Sequence, residues 1–139
     1  MLGVRSVGVV VNSYRDLQVW QKATDLVVEC YRLAQLLPKS ETYGLASQIQ
    51  RAAVSVPANI AEGHGRQHLG DYLHHLSVAT GSLMELETHL IIANRLLYIE
   101  EQQLEPVLLR TGELSRMLAG LTKSLRKKPR WLGPKNPNT

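Results

Sequence analysis

The chain contains no phenylalanine, and its five tyrosines and two tryptophans amount to only 5% of 139 residues. A core must therefore be built from Leu, Ile, Val and Ala, a palette suited to helices. A single cysteine, Cys30, excludes an internal disulfide and fits a reducing compartment, so a cytoplasmic location is expected. Long apolar runs are missing too. The stretch Val7 to Val11, broken by Gly8, is far too short for a membrane span or a signal-peptide core, and no membrane role is expected. The same stretch is the only one with a hint of period-two alternation, so no sheet is expected. Catalytic signatures are equally scarce. Di-iron bundles need Glu-x-x-His on two helices, and the motif does not occur, Glu85 and His89 being four residues apart. No arginine is followed by histidine after four to six residues, as helical nucleases of the HEPN type require, and there is no phosphate-binding glycine loop. The five histidines are read as surface residues, His64 and His68 flanking a glycine-containing turn and His74 and His75 facing different ways. No catalytic residue, metal or cofactor is expected, and the protein is read as a non-enzyme.

What is present is a chain of single-domain length with unevenly spread charge. Residues 123 to 139 hold Lys123, Arg126, Lys127, Lys128, Arg130 and Lys135 and no acid, a charge of +6. The whole chain carries +4, so the first 122 residues carry −2, ten basic against twelve acidic side chains. Basicity is local, not global.

Hydrophobic spacing predicts four helices. The first runs from an Asp16 cap to Pro38 with Val19, Ala23, Val27, Cys30, Ala34 and Leu37 on one face. In the second, Leu45, Ile49, Ala52, Val56 and Ile60 lead to the Gly63-His64-Gly65 cluster, where the glycines ease the exit from the helix. Pro57 should kink this helix by removing the bond to the Ala53 carbonyl. The third carries Tyr72, Leu76, Ala79, Leu83, Leu86, Leu90, Ala93 and Leu97 over about eight turns. Gly81, midway along it, suggests close backbone approach by a neighbour. The fourth repeats Leu104, Val107, Thr111, Leu114, Leu118, Leu121 and Leu125 at alternating steps of three and four, a coiled-coil-like seam. Four amphipathic helices with short links predict an all-α, antiparallel up-and-down four-helix bundle. The bundle is read as residues 14–126, preceded by a flexible extension, 1–13, and followed by a basic, proline-containing tail, 127–139.

Three segments carry a family resemblance. Residues 16–23 (Asp-Leu-Gln-Val-Trp-Gln-Lys-Ala), residues 43–63 from Tyr43 through Gln48, Arg51, Ser55 and Asn59 to Gly63, and residues 79–88 (Ala-Thr-Gly-Ser-Leu-Met-Glu-Leu-Glu-Thr) stand in matching order. They closely resemble the four-helix-bundle proteins named for open reading frames in intervening sequences of 23S ribosomal RNA genes, over roughly residues 14–126. The resemblance implies a bacterial homopentamer related to the accessory proteins of diversity-generating retroelements, which bind nucleic acid and a reverse transcriptase.

Two surfaces attract attention. Gln48, Arg51, Ser55, Asn59 and Glu62 form one polar stripe on the second helix, expected to hydrogen-bond across to the third, with Arg51 reaching Glu85 or Glu87. In the tail, Lys123, Arg126, Lys127, Lys128 and Arg130 are placed to neutralise phosphates, and Trp131 to stack on a base. The same cations also suit a helix C-terminus, where they favour the dipole. The expected function is a non-catalytic, oligomeric scaffold associated with RNA or DNA. A protein-interaction module with no nucleic-acid role, recognised by a protein partner through the bundle or its oligomeric rim, is the alternative.

Overall fold

A computed structural model describes residues 13–127 and 131–133. The expected N-terminal extension up to residue 12, with its Val7–Val11 stretch, lies outside the described residues, as do Lys128, Arg130, Lys135 and the last two prolines.

Four helices make up the fold: α1 Gln18–Ala34, α2 Leu45–His64, α3 Leu69–Arg95 and α4 Glu101–Lys127. There is no strand among the described residues. The helices contact one another in a ring, each touching its neighbours in sequence and α4 closing onto α1. Residue pairs fix their directions. Ser55 of α2 meets Ser82 of α3 while Asn59 meets His75, so the partner number falls as the first rises. Lys22 and Glu29 of α1 likewise face Glu113 and Arg110 of α4. Between α3 and α4, Glu87 pairs with Thr111 while Leu73 lies beside Lys127. Each of these neighbours therefore runs antiparallel.

The core follows the hydrophobic stripes. Leu26, Ile49, Val56, Ile60, Leu76, Leu83, Leu86, Leu90, Leu114 and Leu118 are fully buried, and Tyr72 is the largest of the buried side chains. Each buried aliphatic chain contributes roughly 1.5–3 kcal/mol. The alanines Ala46, Ala52 and Ala53 of α2 and Ala79 and Ala93 of α3 are buried as well. Helix α2 runs unbroken through the buried ring of Pro57.

Several local expectations are corrected. Asp16 does not cap α1. It belongs to a short 3-10 turn, Tyr14–Asp16, capped by Ser13, whose Oγ accepts from the Arg15 N–H at 3.0 Å while the Asp16 carboxylate accepts from the Ser13 N–H at 3.3 Å. The helix proper begins two residues later. Gly81 meets no neighbour within 4 Å of a Cβ built on it, because it lies about 200° round the helix from buried Ala79. The close approach occurs at Gly63. A Cβ there would stand 2.8 Å from the Cβ of His75 and 3.0 Å from Cδ1 of Tyr72, so this glycine serves packing within α2 and not exit from it.

Leu97 does not join the α3 stripe. The helix ends at Arg95, and Leu97 takes a left-handed conformation (φ 66°) with its side chain 89% exposed. Its N–H donates to Asn94 O and that of Tyr98 to Ala93 O, both at 2.9 Å, the Schellman closure in which glycine usually holds the left-handed position. Asn94 Nδ2 donating to Ile99 O and the Tyr98 hydroxyl donating to Glu41 tie the turn to the α1–α2 connection.

These glycine environments predict opposite substitution effects in urea denaturation. Gly63→Ala is expected to destabilise by about 1–3 kcal/mol through overpacking, whereas Gly81→Ala should stabilise by up to about 1 kcal/mol through helix propensity. Leu97→Gly should stabilise by about 0.5–1 kcal/mol, the left-handed strain of leucine outweighing the added freedom of the unfolded chain.

Candidate nucleic-acid interface

At the end of the bundle where α4 finishes, Leu73, Leu76, Ser77 and Thr80 of α3 and Ala119, Thr122, Lys123, Arg126 and Lys127 of α4 line a groove of about 520 Å³. The spacing explains it. Positions 73, 76, 77 and 80 form one helical face, as do 119, 122, 123, 126 and 127, and the small side chains Ser77 and Ala119 leave space between the axes. No acid lines the groove, and Lys123, Arg126 and Lys127 form no ion pair with any described residue. Three cations, with the hydroxyls of Ser77 and Thr122, thus border an apolar floor. Thr80 already donates to the Leu76 carbonyl at 3.1 Å and offers lone pairs only. Such a groove is suited to a phosphodiester backbone, with cations on the rim and hydroxyls as further donors.

The ring read in the sequence as a base-stacking platform is seated on the bundle. Trp131 Nε1 donates to the Arg66 carbonyl at 2.8 Å, and its ring lies 5.0 Å from Tyr72 and 6.0 Å from His64 between centroids. Gly133 (φ 83°) follows, so close to Gln67 that a Cβ would meet Oε1 at 2.6 Å. The chain after α4 therefore returns across the α2–α3 turn. Burial pushes the Tyr72 phenol up to about 12, keeping it neutral.

His64 departs from the expected surface position. It is 6% exposed, packed against Tyr72 and Trp131. Burial pushes its pKa below 6.5, partly opposed by the negative charge of Asp16. His74 and His75 do face different ways, His74 to solvent and His75 to Asn59 of α2, with their rings 5.8 Å from each other. His68 and His74 are exposed, while His75 and His89 are half-buried.

Part of the polar stripe does cross to α3. Asn59 Nδ2 donates to the Ser55 carbonyl and hydroxyl, Asn59 Oδ1 pairs with His75 Nδ1 at 3.0 Å, and Ser82 Oγ donates to Ser55 Oγ at 2.8 Å. Since Asn59 Oδ1 only accepts, His75 carries its proton on Nδ1. Arg51 does not pair with Glu85 or Glu87. Those two acids lie on opposite sides of α3, and Glu87 accepts from Thr111 of α4. Arg51, Gln48, Ser55 and Glu85 line a separate cleft with His89, and Glu62 pairs with Arg66 at 2.7 Å. Among the described residues, no three His, Cys, Asp or Glu side chains gather where they could hold a metal. Burial, with Glu29 nearby, pushes the Cys30 thiol up to about 12, so it carries no thiolate at neutral pH. No described helix is long and apolar enough to cross a membrane.

This fold has counterparts among known proteins. The family model described as 23S rRNA-intervening sequence protein matches residues 15–120. The chain belongs to that family. A crystal structure of a protein of unknown function from the S23 ribosomal protein family of Bacteroides thetaiotaomicron superposes with a TM-score of 0.71 at 26% identity, covering 76% of this chain and 98% of that one. No curated protein matches the chain. The family match ends at residue 120, so Thr122, Lys123, Arg126 and Lys127 lie beyond it while the whole α2–α3 ladder lies within it.

Sequence reading found the cations of the groove but missed Ser77, Thr80 and Thr122, whose only signal is their spacing beside the apolar stripe. It also missed the His64–Tyr72–Trp131 cluster, which joins distant positions.

The burial of His64 sets an acid sensitivity. The unfolded chain binds this proton more readily than the folded one, so stability present above about pH 6.5 is lost as pH falls through and below that value. His64→Gln is expected to flatten this part of the curve, read as denaturation midpoint against pH in variant and wild type.

Proposed function

We infer that the protein is a non-catalytic, oligomeric scaffold that binds single-stranded RNA or DNA along the α3–α4 groove, in the bacterial cytoplasm. The observation that carries this is the acid-free cluster of Lys123, Arg126 and Lys127 beside the Ser77 and Thr122 hydroxyls, on a chain whose first 122 residues carry net negative charge. A cationic groove on an acidic body directs a polyanion to one place. Lys128 and Arg130 follow in the sequence and add to its local positive charge. The family name refers to ribosomal RNA genes, and the implied kinship with retroelement accessory proteins supports a nucleic-acid role over a purely protein-binding one.

Self-association is part of this reading. Tyr43 (97% exposed), Leu97 (89% exposed), Leu96 and Leu36 all lie at the opposite end of the bundle, a concentration of exposed apolar side chains that favours burial against another copy. A homopentamer, as the resemblance implies, would present five grooves and raise avidity without new contacts.

Titration of labelled single-stranded RNA at two salt concentrations tests the groove. The wild type is expected to bind at low salt with a steep salt dependence. Replacing Lys123, Arg126 and Lys127 together by Gln should weaken binding and reduce the log–log salt slope by about 2, from roughly 0.7 per phosphate contact. Absence of binding at low salt would sink this function. Light scattering is expected to give a mass near five chains.

A further inference from the structure

The α2–α3 cleft lined by Gln48, Arg51, Ser55, Glu85 and His89 has a volume of about 330 Å³, at the lower end of small-ligand sites. Three features distinguish it from an ordinary surface groove. Arg51 and Glu85 border the same space from facing helices, yet neither forms an ion pair with the other or with any other described residue. His89 Nδ1 is the one buried side-chain nitrogen or oxygen among the described residues with no hydrogen-bond partner, a condition folded proteins rarely leave unmet. Ser55 Oγ already accepts from Asn59 Nδ2 and Ser82 Oγ, so its remaining group is its own O–H donor.

The cleft is therefore electrically balanced, with a carboxylate on the α3 wall and a guanidinium, an amide and a hydroxyl on the α2 wall, and one buried imidazole nitrogen beside them unsatisfied. A planar occupant that meets both the carboxylate and the guanidinium through paired hydrogen bonds presents two adjacent donors on one edge and two adjacent acceptors on the next. A simple anion meets Glu85 with repulsion, and a simple cation meets Arg51 in the same way. Among the nucleobases, guanine carries the required pattern: N1–H and N2–H side by side for a carboxylate, O6 and N7 side by side for a guanidinium. Adenine, cytosine and uracil lack two adjacent N–H groups on one edge.

We propose that this cleft binds a guanine base, with Glu85 accepting from N1–H and N2–H, Arg51 donating to O6 and N7, and Gln48 and His89 completing the polar contacts. The base belongs either to a free guanine nucleotide or to an unpaired guanosine in RNA. The site stands apart from the cationic groove on the other side of α3 and does not depend on it.

Calorimetric titration of the full-length protein with GMP, IMP, AMP and CMP tests the assignment. GMP is expected to bind, and IMP, which lacks the N2 amino group, to bind about tenfold more weakly, with AMP and CMP weaker again. Glu85→Gln and Arg51→Met, both at exposed positions, should each remove the preference for GMP over AMP without changing the thermal unfolding midpoint by more than a few degrees. Replacing Lys123, Arg126 and Lys127 by Gln should leave GMP affinity unchanged, which separates failure of this site from failure of the groove. Equal affinity for all four nucleotides, no GMP binding at millimolar concentration, or a preference that survives both substitutions would overturn the proposal. A single-stranded adenosine tract containing one guanosine, compared with the all-adenosine strand, then identifies the source. Tighter binding of the guanosine strand than of the all-adenosine strand, lost on Glu85→Gln, assigns the site to RNA, and equal binding of the two strands beside binding of GMP assigns it to the free nucleotide.

Discussion

A bundle without phenylalanine has to close by bringing backbones together, and the α2–α3 contact is where this happens. Ala52 and Ala53 are buried on α2, and at Gly63 the absent Cβ leaves room for the Cβ of His75 and for the ring and carbonyl of Tyr72 on α3. The Ser55–Ser82 and Asn59–His75 bonds then fix the register along that contact, since a helix sliding by one turn would break both. With α3 placed, Glu87 is delivered to buried Thr111, which sets the height of α4. Tyr72, held against Gly63, forms the floor on which Trp131 rests. One close approach thus determines the position of the third helix, the fourth helix and the returning tail.

The same contact explains where the molecule is open. Side chains along α2 grow from Gly63 and Asn59 toward Arg51 and Gln48, and those facing them on α3 grow from Ser82 toward Glu85 and His89. The two helices are joined by short polar groups in the middle, and beyond them the longer side chains of Gln48, Arg51, Glu85 and His89 line the cleft. Its chemistry is what size does not dictate: opposite charges on facing walls without a direct pair, and a buried imidazole nitrogen without a partner.

The helices were legible because burial is periodic. The core residues predicted for α2 and α4 are those the fold buries, apart from half-buried Leu45 and Leu121, since a stripe at steps of three and four has only one way to face inward. Failures fall where a residue's role depends on something outside its own helix. Leu97 fits the α3 stripe by spacing, but the turn that ties Tyr98 to Glu41 and buries Ile99 stops the helix first. Gly81 and Gly63 look alike in sequence, and only the position of α3 makes one of them a contact. Trp131 reads as part of a solvated tail because nothing local reveals that Tyr72 and His64, some sixty positions earlier, offer it a seat. For the candidate sites the split is the same. Lys123, Arg126 and Lys127 are visible as charge, whereas the hydroxyls beside them become relevant only when α3 is laid against α4.

The two candidate sites differ in physical character, and that difference bears on how they would work together. The α3–α4 groove is a field of unpaired cations over an apolar floor, which attracts any polyanion at long range and weakens steeply with salt. The α2–α3 cleft carries one charge of each sign, so it exerts little attraction at a distance and acts through hydrogen-bond pattern at contact. As proposed sites, the first would supply affinity without sequence preference and the second discrimination with little affinity of its own. Both flank α3, whose length of 27 residues is enough for a strand held in the groove to pass round the helix toward the cleft. In the proposed reading, the cations beyond the family-matched segment would gather the nucleic acid, and the polar stripe inside that segment would select within it.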